Sequence, residues 1–91
     1  MDEENQRRKL RFRSWNFGTR ELDFLLGSFA DKHLDSFDSK QLEAYERLLA
    51  EPLPDLFAWI TGAAEVPTAR RSEMLKFIIA FCRDAHQKYK E

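Results

Sequence analysis

The clearest apolar pattern in the chain is a stripe of four large side chains spaced i, i+3, i+4 and i+7, as on one face of a helix. These are Leu22, Leu25, Leu26 and Phe29. We predict an amphipathic helix over residues 19–34 that turns this stripe towards a core. The hydroxyl of Thr19 is expected to cap it, and Glu21 and Asp23 suit its first turn, where the helix dipole favours negative charge.

The opposite side of this predicted helix points away from the core. At about 100° per residue it carries Arg20, Phe24, Gly27 and Asp31. Phe24 is therefore expected to face solvent or a partner. Phe17 is expected to be exposed on the same corner, and inward packing against Leu10 or Trp15 is the alternative.

Two further helices precede and follow this one. Residues 5–15 are predicted to form a short basic helix, which must dock through its few apolar side chains because it is too short to be stable alone. After a loop over residues 35–37, Asp38 is predicted to open the next helix. Gln41, three residues on, completes a capping-box pattern there, and Phe37 and Leu42 stand where a hydrophobic staple forms.

The C-terminal third is punctuated by prolines and a glycine. Pro52 and Pro54 should end the third helix, and Pro54 suits the first turn of a short fourth helix that stops at Gly62.

The last helix is predicted to start at Val66-Pro67-Thr68 and to carry apolar residues from Met74 to Tyr89. Trp15 and Trp59 are expected to anchor the two shorter helices.

These patterns predict an all-α protein, a compact bundle of about five helices. Leu10 and Phe12 alternate as they would in a strand, but the chain contains no pair of strand patterns and no hairpin dipeptide. We expect a single domain over residues 1–91, with flexible ends at residues 1–6 and 88–91.

The net charge of −1 hides a strong segregation of charges. Residues 7–20 hold six basic side chains and no acidic one, whereas residues 21–65 hold ten acidic and three basic ones. Such a charge distribution favours either docking to a partner in one orientation or pairing of opposite charges between segments of this chain. The run from Arg7 to Arg13, with Phe12 and Trp15, could instead bind nucleic acid, but the near-neutral chain makes this the weaker alternative.

Little in the chain indicates catalysis or metal binding. The single cysteine, Cys82, excludes an internal disulfide and fits a reducing compartment. Cys82 and His86 could form a ligand pair, but a structural zinc site needs four ligands. There is no phosphate-binding glycine loop and no Gly-x-Ser-x-Gly motif. We therefore expect a non-enzymatic protein with no metal and no cofactor of its own.

The targeting signals are equally sparse. The longest apolar run, from Phe77 to Cys82, is far shorter than the roughly 20 residues that span a bilayer. The acidic N-terminus does not look like a secretory signal. We expect a cytoplasmic protein that does not insert into a membrane.

Two motifs support a resemblance to a known family. They are Gly18-Thr19-Arg20-Glu21-Leu22-Asp23 and Pro54-Asp55-Leu56-Phe57-Ala58-Trp59-Ile60. In their order and spacing they resemble the SdhE/YgfY family of FAD assembly factors, also called the succinate dehydrogenase assembly factor family, over residues 7–85. The resemblance implies a five-helix fold. It also implies binding to the flavoprotein subunit of succinate dehydrogenase, or in some bacteria of fumarate reductase, and covalent attachment of that partner's FAD to one of its histidines.

The resemblance places the partner-binding surface at the corner before and within the second helix. Gly18 and Glu21 match the family pattern, and Arg20 and Asp23 resemble it. To these we add their neighbours Arg13, Phe17 and Phe24 as candidate partner-binding residues. The family pattern there is Arg-Gly-x-x-Glu, and this chain has Phe17 in place of the arginine. A phenyl ring cannot supply the donors of a guanidinium, so Phe17→Arg is expected to strengthen partner binding without harming the fold. The free protein is expected to be a monomer.

Overall fold

The computed structural model describes residues 3–90, with side chains for residues 3–85. This part of the chain contains five α-helices and two 3₁₀ turns, and it contains no strand. In chain order the helices are α1 (Glu3–Ser14), α2 (Arg20–His33), α3 (Ser39–Leu49), α4 (Leu53–Thr61) and α5 (Glu73–Lys90). The predicted all-α bundle of about five helices is confirmed. The predicted apolar role of Tyr89 lies outside the described side chains.

The core is built around α2, which contacts both α1 and α5. All four residues of its predicted stripe are buried, with at most 1% of their surface exposed. Each such side chain stabilises the fold by about 1.5–3 kcal/mol relative to an exposed one, so the stripe determines which way α2 faces. The chain leaves α2 through a 3₁₀ turn at Leu34–Ser36, where a loop was predicted.

The start of α3 agrees closely with the sequence pattern. Oδ1 of Asp38 accepts the backbone N–H of Gln41 at 2.8 Å, and Oε1 of Gln41 accepts the N–H of Asp38 at 2.9 Å. This is the reciprocal capping box, which satisfies two donors that the helix itself cannot use. Phe37 and Leu42, on either side of the cap, are both buried, as a staple requires.

Helix α4 is short and its ends are set by proline and glycine. Pro52 is its N-cap, and Pro54 lies in its first turn, where a missing N–H costs nothing. Gly62 follows its last residue with a φ of 84°, a left-handed conformation that favours glycine. Trp59 is 6% exposed and packs in the core, which confirms it as an anchor of this helix.

The last helix begins later than predicted. The sequence pattern placed its start at Val66-Pro67-Thr68, but that segment leads only into a 3₁₀ turn, Thr68–Arg70, and α5 begins at Glu73. Residues 67–71 carry no large apolar side chain that a helix could bury. The hydroxyl of Ser72 accepts the N–H of Leu75 at 3.1 Å and so starts the helix where its apolar periodicity begins.

Candidate functional site

The corner between α1 and α2 turns at Gly18. This residue has a φ of 103°, which side-chain-bearing residues rarely adopt. Apart from its own chain neighbours, no heavy atom lies within 4 Å of the place that a Cβ would occupy. The backbone conformation, and not a lack of space, therefore requires glycine, and the exposed Gly18 leaves its main chain open to a partner.

Asp23 holds this turn in place. Its Oδ1 accepts the backbone N–H of Phe17 at 2.6 Å, while its own N–H donates to the carbonyl of Thr19. Thr19 is the N-cap, as predicted, but its hydroxyl makes no capping hydrogen bond, so that part of the prediction is wrong. The carboxylate of Asp23 reaches back across the helix start instead, and its structural effect is to position the corner.

The ring of Phe17 is half-buried and packs against the hydrophobic core. The expectation of an exposed aromatic here is therefore wrong, and the inward-packing alternative is closer to the structure. The physical reason is that the ring can reach apolar neighbours from this turn and so leave water. Phe17→Arg would remove that packing, and the arginine would have to extend its stem until the charge reached solvent.

Phe24 was also expected to face away from the core, and this is wrong. It is half-buried and packs against the core from its rim. Glu21 is half-buried as well, and both residues already make contacts within the protein. The exposed cations of the predicted site are Arg13 at the end of α1 and Arg20 at the start of α2.

The inward face of α1 is mostly polar. Nε and Nη2 of Arg7 donate to the carbonyls of Leu34 and Phe37 at 2.9 and 2.7 Å. Arg11 pairs with Asp31 and Asp35, each at 3.2 Å. The bonds of Arg7 satisfy carbonyls around the 3₁₀ turn that follows α2, and those of Arg11 pair with carboxylates. They show that part of the basic run is matched internally, as the charge map allowed.

A buried hydrogen bond joins α1 to α3. Ser14 is fully buried, and its Oγ lies 2.7 Å from the carbonyl of Leu10 and 2.6 Å from the hydroxyl of Tyr45. Because only a donor can approach that carbonyl, Ser14 donates to Leu10 and Tyr45 donates to Ser14. Burial raises the pKa of Tyr45 well above its usual range, so this donor stays protonated.

The outward face of α1 carries the most exposed large aromatic residue of the described part of the chain. Phe12 is 68% exposed, and Arg8, Lys9 and Arg13 are exposed on the same helix. The docking of α1 was expected to use its few apolar side chains, and for Phe12 this is wrong. Sequence reasoning also considered Phe12 for base stacking. Arg8 and Lys9, four and three residues before it on the helix, were the signal that it lies on an outer face.

Trp15 anchors α1 from beyond its end, as predicted, but by an unexpected contact. Its indole lies directly over Gly27 of α2, and its Nε1 donates to Oδ1 of Asp31 at 3.3 Å. Gly27 was placed on the side of α2 that faces away from the core, and the structure buries it beneath Trp15. That face of α2 is thus covered by the segment that precedes the helix.

The described residues contain no set of three metal-ligating side chains that could hold an ion. Cys82 is fully buried, and burial raises the pKa of its thiol to about 12, which keeps it protonated and unreactive. The side chain of His86, considered with Cys82 as a ligand pair, lies outside the described residues. Across the described part of the chain, no helix has both the length and the apolarity to cross a bilayer.

Comparison with known proteins finds one matching family and several relatives. The family model described as flavinator of succinate dehydrogenase matches residues 8–82. The chain is 41% identical over 81 residues to succinate dehydrogenase assembly factor 2, mitochondrial, of Dictyostelium discoideum, covering 89% of this chain and 57% of that protein. It is 40% identical to the protein of the same name from Meyerozyma guilliermondii, covering 82% of this chain and 58% of that one.

The chain is also similar to a bacterial protein. The FAD assembly factor SdhE of Acetobacter pasteurianus is 32% identical over 74 residues, covering 81% of this chain and 68% of that protein. The chain spans a little over half the length of the Dictyostelium and Meyerozyma relatives. With a family match over residues 8–82 and these identities over most of its length, this chain belongs to the flavinator of succinate dehydrogenase family.

Proposed function

We propose that this protein binds the flavoprotein subunit of succinate dehydrogenase and promotes the covalent attachment of FAD to it. The family match over residues 8–82 is the observation that carries the proposal. The flavoprotein subunit of fumarate reductase would be a second partner of the same class. The FAD belongs to the partner, and this chain is monomeric when free and has no cofactor of its own.

The buried titratable groups support a binding role and not a catalytic one. Tyr45 and Cys82 are both enclosed in the core, and burial raises the pKa of each, so neither can act as a base or a nucleophile on a partner. The covalent chemistry belongs to the flavin and the flavoprotein. This chain would act by binding the conformation that is competent for flavin attachment more tightly than the others, which raises its population.

The docking surface that we propose is the Gly18 turn together with the outer face of α1. Arg13 and Arg20 place exposed cations on either side of the turn, and Phe12 adds an exposed ring. Such cations pair with carboxylates or carbonyl oxygens of a partner and fix the orientation of binding. Because Asp23 locks the main chain of Phe17, the turn is presented without a further ordering cost.

The test is a flavinylation assay with purified flavoprotein subunit and FAD, in which in-gel flavin fluorescence reports the covalent bond. Wild-type protein should accelerate attachment, and Arg20→Glu should slow it by about tenfold or more, since a like charge would face the partner's acceptors. The matched control is Arg47→Glu on α3, whose exposed pair with Glu43 at 3.7 Å contributes little. Equal effects of the two changes, or no acceleration by wild type, would contradict the proposal.

A second pair of variants tests the role of Asp23. Asp23→Asn keeps an oxygen that can accept the N–H of Phe17, whereas Asp23→Ala removes it. If Asp23 positions the turn, the Asn variant should retain most of the flavinylation rate and the Ala variant should lose it. If its charge contacts the partner directly, both variants should lose the rate to a similar degree.

A further inference from the structure

A cavity lies at the opposite end of the sequence from the proposed docking surface. It is bounded by the end of α4, the connection over residues 62–72 and the first turns of α5, and its volume is about 290 Å³. Trp59, Leu75 and Ile79 supply its apolar lining. None of the residues assigned to the corner between α1 and α2 lines it.

Cations dominate the charged lining of this cavity. Arg71, Lys76 and Arg83 are exposed there, against one acid, Glu65. Lys76 is 3.9 Å from Glu73, which neutralises it in part. Neither arginine forms an ion pair with another described residue, so two guanidinium groups remain for a ligand.

The structure also positions these two arginines. Nε of Arg71 donates to the carbonyl of Val66 at 3.4 Å, which holds the guanidinium against the connection. Nη2 of Arg83 lies above Gly62, 3.5 Å from the place that a Cβ would occupy. It therefore sits at the C-terminal end of α4, where the helix dipole favours a positive charge.

The size of the cavity favours a single side chain over a whole small molecule. Pockets for drug-sized ligands and cofactors measure about 300–1,000 Å³, so this cavity is at or below the lower limit. An apolar lining with two positioned cations at its edge suits an apolar side chain that is followed by carboxylates. We propose that the cavity binds an acidic peptide segment of a partner protein, which inserts one large apolar side chain and sets its carboxylates against Arg71 and Arg83.

Two blocked pentapeptides test this directly by NMR titration of the 91-residue protein. The probe has a central phenylalanine with two glutamates on each side, and the control has glutamines in their place. The probe should shift the backbone amide signals of Gly62, Val66 and Ile79, and the control should bind about fivefold or more weakly. Raising the ionic strength from about 0.02 to 0.3 M should remove most of this difference, because the charges involved are exposed.

Three variants complete the test. The double variant Arg71→Glu/Arg83→Glu should weaken binding of the probe by about tenfold or more, while Glu65→Gln should strengthen it or leave it unchanged. Arg13→Glu, on α1, should have no effect. Because both arginines are exposed, the double variant should keep a dispersed amide spectrum; if it does not, the milder Arg71→Gln/Arg83→Gln replaces it.

Several results would overturn the inference. Equal binding of the two peptides would show that the cations do not take part. Shifts confined to α1, or loss of binding in Arg13→Glu, would assign the anion-binding surface to α1 instead. An absence of any shift at the three amides would remove the site. None of these outcomes depends on flavinylation, so the inference can fail while the proposed function stands.

Discussion

Replacing Gly27 with alanine should destabilise this protein, although Gly→Ala in a helix interior usually stabilises by about 1 kcal/mol. Gly27 is buried in α2, and the indole of Trp15 lies across it. A Cβ at this position would overlap the carbons of the ring. Trp15 would have to move away, and its 3.3 Å hydrogen bond to Asp31 would be lost with it.

The magnitude follows from how much of Trp15 is covered. The side chain is 38% exposed, so more than half of its surface is buried. Expelling it would return roughly 100–150 Å² of mostly apolar surface to water, at a cost of about 2.5–4 kcal/mol. The helix-propensity gain offsets about 1 kcal/mol of this. A net loss of about 2 kcal/mol should lower the Tm by about 8–16 °C for a domain of this size.

Urea and thermal unfolding of four proteins would test this: wild type, Gly27→Ala, Trp15→Ala and the double variant. With Trp15 already removed, Gly27→Ala no longer meets a ring, and it should stabilise by about 0.5–1 kcal/mol. Gly27→Ala should therefore destabilise the protein that has Trp15 and stabilise the Trp15→Ala variant. If Gly27→Ala stabilises the wild-type protein as well, then Trp15 does not rest on Gly27 and the reasoning is refuted.

Three smaller predictions concern caps and buried groups. Asp38→Ala removes the carboxylate that accepts the N–H of Gln41 and should lower the free energy of unfolding by about 1 kcal/mol in urea titrations. Tyr45→Phe should cost about 1 kcal/mol in the same assay, since Ser14 keeps its bond to the carbonyl of Leu10. Burial raises the pKa of the Cys82 thiol from 9.0 to about 12, so its stabilising contribution is present below pH 9 and is lost as the pH rises towards 12. Cys82→Ala should remove that part of the decline, as urea titrations at about pH 8 and pH 10.5 would show.

The parts of the fold that were predictable from sequence are those fixed by short-range signals. The stripe on α2 follows from a spacing that burial enforces, and the cap at Asp38 follows from a pattern four residues long. Gly62 and the prolines of α4 act on their own backbone. In each case the cause lies within a few residues of its effect, so one sequence was enough to read it.

The corner between α1 and α2 was harder to predict, because its contacts join residues that no local pattern links. Asp23 looked like a first-turn carboxylate, and its bond to the N–H of Phe17 depends on the turn at Gly18. On the helical wheel Gly27 falls on the side that faces away from the core. In the structure, the ring of Trp15, twelve residues earlier in the chain, covers it. Helical periodicity assigns a residue to a face but does not say what covers that face.

Helix α1 shows why apolar periodicity was a poor guide to the contacts at this end of the molecule. Its inward face is held by the guanidinium groups of Arg7 and Arg11 and by the bond between Ser14 and Tyr45, and Leu10 is its only large buried apolar side chain. A helix docked in this way does not need Phe12 for its own stability, and Phe12 stays 68% exposed. Natural sequences break the apolar-inside rule mainly where another requirement acts. The polar docking of α1 thus frees an aromatic ring and three cations for the surface that we propose meets the flavoprotein.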